Sequence, residues 1–232
     1  MENEKIQKLI NFYLLATSLK DKIRTGWETW NIDRQRVESV AEHIYGTCIL
    51  AIAIDSEFDL NIDIYKVVMM LTLHEIEEVK IGDLTPFDKI TAEEKRKIGK
   101  QAVEEVFSSL AKGINYIELI EEFEKLETKE AKIARMCDKL EADIQAKIYC
   151  EEKSIDMYSD KNEHLLQDNR IKGLLEKGAK SVADLFVEYD RPVFTEDVVE
   201  KIADYIKDND LLNKKNNRHI GEKHEIISTK SE

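Results

Sequence analysis

Residues 130–153 read EAKIARMCDKLEADIQAKIYCEEK. Within them Ile133, Met136, Cys137, Leu140 and Ile144 recur at the three- and four-residue spacing of one helical face, which predicts a long helix whose apolar stripe needs a covering partner. Asp138 stands beside that stripe, and Ala134 and Ala142, four residues to either side, leave room around its carboxylate. An acid placed against buried positions needs a partner, so Asp138 is a first candidate for chemistry.

The same period extends the helical reading outward. Ile6, Leu9, Ile10, Tyr13, Leu14 and Leu19 make Lys5 to Lys20 an amphipathic opening helix, with the stripe read as core. Asp21 to Val37 lacks the period and carries Trp27 and Trp30, so it is expected to be a loop whose aromatics pack or bind. Ser39-Val40-Ala41-Glu42 is a capping box, opening a helix to about Asp55 with His43 in its first turns. A second buried helix is expected from Ile62 to Val79, carrying His74, Glu75 and Glu78 and stopping near Gly82. Thr91 and Glu94 form another capping box, whose helix Gly113 is expected to end. Further helices are expected near Leu165 to Lys177, Val182 to Tyr189 and Glu196 to Ile206, the last capped by Thr195. From Asn209 the chain is polar without periodicity and reads as a loose, disordered tail. Eight glycines and two prolines in 232 residues supply few hairpin signals. The expectation is an all-α fold, one helical domain over 1–208 with its site core in about 24–150, and a tail over 209–232.

Composition narrows the partners. A formal charge of −13 with no basic stripe repels nucleic-acid polymers and anionic membrane surfaces. A small phosphorylated ligand is still admitted, because a bound divalent cation can reverse the polarity of a site. The longest apolar run, Ile44 to Ile54, is far shorter than the ~20 residues needed to span a bilayer, and charged Met1 to Leu9 reads as neither export signal nor anchor. Cys48, Cys137 and Cys150 lack metal-type spacing and read as buried free thiols, which suits a reducing cytoplasm.

Of five histidines, His164, His219 and His224 fall in polar stretches and read as solvated. His43 and His74 lie on mainly apolar helices, where an imidazole needs a hydrogen-bond or metal partner. Glu78 follows His74 by one helical turn, while Glu75 projects about 100° away. Spacing alone leaves two readings open: core histidines beside a solvated acidic face, or a site of two nitrogens and two oxygens completed by Asp138. That donor mixture suits Mn, Co, Fe or Zn better than Ca.

Taken together, His43, then His74-Glu75, then Asp138 resembles the H…HD…D pattern of the HD-domain metal-dependent phosphohydrolases. More narrowly, Arg24-Thr25-Gly26-Trp27, Arg36-Val37-Glu38-Ser39-Val40-Ala41-Glu42-His43, His74-Glu75-Ile76-Glu77-Glu78, Gly82-Asp83 and Asp138-Lys139-Leu140 resemble the HD-domain 5′-deoxynucleotidases, in order from about Arg24 to Tyr149. The resemblance implies an HD-type helical bundle, often a homodimer, that binds one divalent cation (Mn, Co, Mg, Fe or Zn). It implies release of phosphate from (deoxy)ribonucleoside 5′-monophosphates. It makes His43, His74, Glu75 and Asp138 the metal ligands and Glu78 and Asp83 the catalytic acids. Arg24, Arg36 and Trp27 become substrate contacts. One departure is chemical: the family has Asp where this chain has Glu75, one methylene longer, so the helix must retreat or the metal move. Competing expectations are another nucleotide substrate (cyclic nucleotide, triphosphate or alarmone) and a non-catalytic module with a decayed site.

Overall fold

The computed structural model describes residues 1–85, 88 and 90–212. Its α-helices are α1 (Glu2–Ala16), α2 (Thr25–Thr29), α3 (Val40–Phe58), α4 (Ile64–Leu73), α5 (Glu78–Ile81) and α6 (Ala92–Phe107), then α7 (Gly113–Lys125), α8 (Lys129–Glu151), α9 (Glu163–Leu166), α10 (Asn169–Glu176), α11 (Val182–Asp190) and α12 (Asp197–Asp208). Among the described residues the only extended pairing is an isolated antiparallel bridge between Ile23 and Ser39, so the fold is all-α. No described helix is long and apolar enough to cross a membrane.

α8 is the axis, packed on by α3, α4, α7, α11 and α12. Its predicted stripe is buried, with Ile133, Met136, Cys137 and Leu140 in one core with Val67, Leu71 and Phe123. Capping fixes where the neighbours begin. Ser39 and Thr91 each accept from an amide three residues on, and Glu42 and Glu94 reach back to complete both predicted boxes.

Several expectations are corrected. The α1 stripe is not core: Ile6, Leu9 and Leu14 are 53%, 58% and 62% exposed. Only Phe12, Leu15 and Ala16 pack inward, Phe12 against Phe107 at 5.4 Å between ring centroids, while Leu19 is buried in the following 3-10 turn. Amphipathic spacing specifies an apolar face but not whether the same chain covers it. The helix read over 62–79 breaks at His74. The amides of Ile76 and Glu78 bond carbonyls three residues back, at 3.0 and 3.1 Å, in a tight turn that separates α4 from α5. Gly113 begins α7 rather than ending α6, because a Cβ there would overlap the Phe107 carbonyl. The stretch 21–37 contains α2, and 165–177 is split between α9 and α10. Glu196, not Thr195, precedes α12, and the Thr195 hydroxyl instead lies 3.9 Å from the Met136 sulfur. The tail reading falls on residues 213–232 outside the described ones, but Leu211 and Leu212 are anchored, their amides donating to Glu151 at 2.8 and 2.7 Å.

Two measurements test this packing. Leu140→Ala should cost about 2–5 kcal/mol in urea unfolding, whereas Leu9→Ala should stay within about 0.5 kcal/mol, and equal losses would refute the exposure of the α1 stripe. Asp143 is fully buried, with neither carboxylate oxygen hydrogen-bonded, and burial followed by repulsion from Asp190 pushes its pKa well up. A carboxyl raised on folding must take up a proton, so it destabilises increasingly as pH climbs above about 4. Asp143→Asn should therefore raise Tm more at pH 8 than at pH 5, and a pH-independent gain would contradict that origin.

Candidate metal centre and its cavity

His43 enters the core from the first turn of α3, His74 and Glu75 from the turn between α4 and α5, and Asp138 from the middle of α8. One ligand atom from each lies within 4.8 Å of every other. The His43 Nε2 is 3.2 Å from Asp138 Oδ1 and 3.4 Å from the His74 Nε2, which is 3.6 Å from Asp138 Oδ1 and 3.5 Å from Glu75 Oε1. Donors about 2.1 Å from a tetrahedral cation stand about 3.4 Å apart, so these separations suit a metal. Glu75 reaches despite its extra methylene because the chain has left the helix: consecutive side chains 100° apart on a helix converge across a tight turn.

The imidazoles are oriented from behind. The Nδ1 of His74 is 2.7 Å from the Leu71 carbonyl, which can only accept, so Nδ1 carries the proton and Nε2 a lone pair. The His43 Nδ1 donates likewise to Glu141, a buried carboxylate seated against Gly46, where any Cβ would overlap it. Two lone pairs facing one another beside two carboxylates are resolved by a cation or by a proton. For the proton, burial and Arg24 lower His43, but bonds to Asp138 and Glu141 outweigh them and raise it to about 9. Burial alone would raise Asp138, yet Lys139 and both histidines hold it well below the carboxylate range, leaving it an anionic ligand. This donor set fits a divalent transition-type cation.

The cluster opens into a cavity of about 950 Å³. Arg24 lies in it 3.6 Å from Glu75, and Glu78 and Asp83 line it beside Glu77. Burial, then Glu75 and Asp83, push Glu78 up to about 11. Lys139 and Arg135 hold the second oxygen of Asp138 at 3.1 and 3.4 Å and also line the cavity. Asp83 is fixed by accepting from the Thr25 amide at 2.7 Å.

Arg36 and Trp27 are not brought to this cavity. Arg24 is turned inward because residues 22–24 pair with 38–40, Arg24 N donating to Glu38 O at 3.0 Å and Val40 N to Lys22 O at 2.8 Å. Arg36 precedes that pairing, and its 82% exposed side chain is captured by Glu42, the capping-box acid. Trp27 is buried, donating to Glu38 at 2.7 Å, edge-on to Tyr149 and stacked on Phe186. Glu141, Gly46 and Arg135 are not singled out in the sequence reading, and Lys139 enters it only within the Asp138-Lys139-Leu140 match. The i, i+3 spacing of Glu141 from Asp138 was the available signal.

The comparisons agree with this geometry. The family profile described as "HD domain" matches residues 16–177. A Dictyostelium discoideum protein named 5′-deoxynucleotidase HDDC2 is 33% identical over 147 residues, 60% of this chain and 76% of its own length. The Homo sapiens protein of the same name is 33% identical over 145 residues, 62% and 69% respectively. Among solved structures, a conserved hypothetical protein from Pyrococcus furiosus superposes with TM-score 0.54 at 27% identity, over 72% of this chain and 97% of that one. A predicted metal-dependent phosphohydrolase from Magnetospirillum magnetotacticum shares the fold with TM-score 0.57 at 21% identity, over 89% and 96%. With its histidine–acid cluster at the head of a deep cavity and most of its length matched, the chain belongs to the HD domain family.

Proposed function

We propose that the protein is a metal-dependent phosphomonoesterase that releases phosphate from deoxyribonucleoside 5′-monophosphates, with ribonucleotides as poorer substrates. The observation that carries this is the convergence of two oriented imidazole lone pairs and two carboxylates at the head of a cavity that also holds Glu78, Asp83 and Arg24. Relatives 33% identical and named 5′-deoxynucleotidases support the substrate class. The free thiols and nucleotide substrate fit a cytoplasmic setting. The homodimer belongs to the same reading.

His43, His74, Glu75 and Asp138 would hold the cation. When bound, it supplies Lewis-acid charge to the phosphoryl oxygens and eases deprotonation of a water. Arg24 and Lys139, both kept cationic by surrounding acids, bind the phosphoryl group and offset its charge. Glu78, whose carboxyl is raised first by burial and then by Glu75 and Asp83, would take the proton of the attacking water once a bound cation offsets those effects. Asp83 orients that water or returns a proton to the leaving 5′ oxygen. Glu141 keeps the proton of His43 on Nδ1 and its lone pair on the ligand side.

Phosphate release should be measured from deoxy- and ribonucleoside 5′-monophosphates by chelator-stripped protein with Mn, Co, Mg or Zn restored. Metal-dependent release favouring deoxy substrates is expected, and no release with any of the four would sink the proposal. Glu78→Gln should lower kcat by about 10²–10⁴-fold with metal content retained, whereas His74→Ala or Asp138→Ala should lose the metal itself. Glu141→Gln should weaken cation affinity about 10–100-fold in calorimetric titration, and unchanged affinity would show that Glu141 does not orient His43.

A further inference from the structure

The residues lining the cavity differ in chemistry from one set of helices to another. On α6 and α7 the lining is mixed, with aliphatic Val103, Ile117 and Ile120 among ion-paired side chains, Lys100 with Glu121 at 2.8 Å and Glu124 with Arg135 at 2.9 Å, and it contains no aromatic ring. On α10, α11 and at the end of α2 the lining carries the cavity's aromatic rings, Trp30, Phe186 and Tyr189, with Ile171 and Leu174 between them and charged Arg170 and Asp190 beside them. At about 950 Å³ the space lies at the upper end of the usual range for small-molecule sites, so it holds far more than a phosphoryl group.

We infer that the α10–α11 wall is the nucleobase subsite, with the base stacked against Phe186 and Tyr189 while the phosphate lies at the metal cluster. This rests on the nucleotidase reading above. A nucleobase presents a broad π-face that aromatic side chains bind by stacking, and among the lining residues the aromatic rings lie on the α10–α11 side, while the α6–α7 side offers aliphatic and ion-paired groups. The wall is also rigid. Phe186 stacks on Trp27 at 5.1 Å between centroids and 18° between planes. Trp27 in turn is pinned by its bond to Glu38 and by the edge contact with Tyr149 at 5.2 Å. Trp30 is buried in a second core with Ile171 and Leu185, which fixes α10 and α11 against the same loop. Trp27 is therefore a positioning residue, holding the wall without reaching the cavity. Tyr189, at the rim and 48% exposed, completes the platform and can be changed with little effect on packing.

The test compares deoxynucleoside 5′-monophosphates with deoxyribose 5-phosphate, which lacks the base, in wild type, Tyr189→Ala and Tyr189→Phe. The preference in kcat/KM for the base-bearing substrates should fall about tenfold in Tyr189→Ala and return in Tyr189→Phe, where the ring is restored. A preference unchanged within about twofold would overturn the subsite. Calorimetric titration of metal-loaded protein with the free deoxynucleosides separates the subsite from the hydrolytic reading. Weaker binding by Tyr189→Ala supports the subsite whatever the turnover, and equal binding refutes it. Loss of phosphate release from every substrate with nucleoside binding intact would strike the nucleotidase reading alone.

Discussion

Two imidazole nitrogens 3.4 Å apart, each with its lone pair turned toward the other and toward two carboxylates, form an arrangement that a buried site does not tolerate without a positive charge between them. The scaffold maintains it from outside. Leu71 and Glu141 fix the far nitrogens of the rings, and Lys139 and Arg135 take the spare oxygen of Asp138. Around this knot α3, α4 and α8 pack as a rigid frame.

The acids of the cavity show how environment divides similar side chains into different roles. Asp138 and Glu75 are held anionic by histidines and cationic neighbours, which suits ligands. Glu77 and Glu78 are driven up, first by burial and then by Glu75, to about 8 and about 11. Their proton affinity thus depends on how much positive charge the site carries. A chain with a formal charge of −13 can still receive a phosphate here because Arg24, Arg135 and Lys139 line the same cavity.

Much of this was legible in the sequence because it is local. Capping boxes at Ser39 and Thr91 and the stripe on residues 130–153 depend on spacing along one chain segment, and they appear in the structure where they were read. What failed depends on contacts between segments. The α1 stripe looked like core since period does not reveal coverage. Arg36, a substrate contact by resemblance, lies outside the cavity paired with Glu42, because the pairing of residues 22–24 with 38–40, which turns Arg24 inward, links segments that spacing along the chain does not connect. The break at His74 was invisible to periodicity, although it lets His74 and Glu75 meet. Glu141 could be read as one more polar helix position until Gly46 is seen to leave space for its carboxylate.

That glycine bears on how the protein can change. Gly46 sits inside α3, where replacement by alanine ordinarily strengthens a helix by about 1 kcal/mol. Here a Cβ would fall on the Glu141 carboxyl, whose Cδ and Cγ would lie 3.0 Å away. The familiar route to a hardier helix would therefore displace the group that orients His43. Thermostability engineering of α3 and retention of the cation pull in opposite directions at this position, so gains in robustness have to come from elsewhere in the bundle.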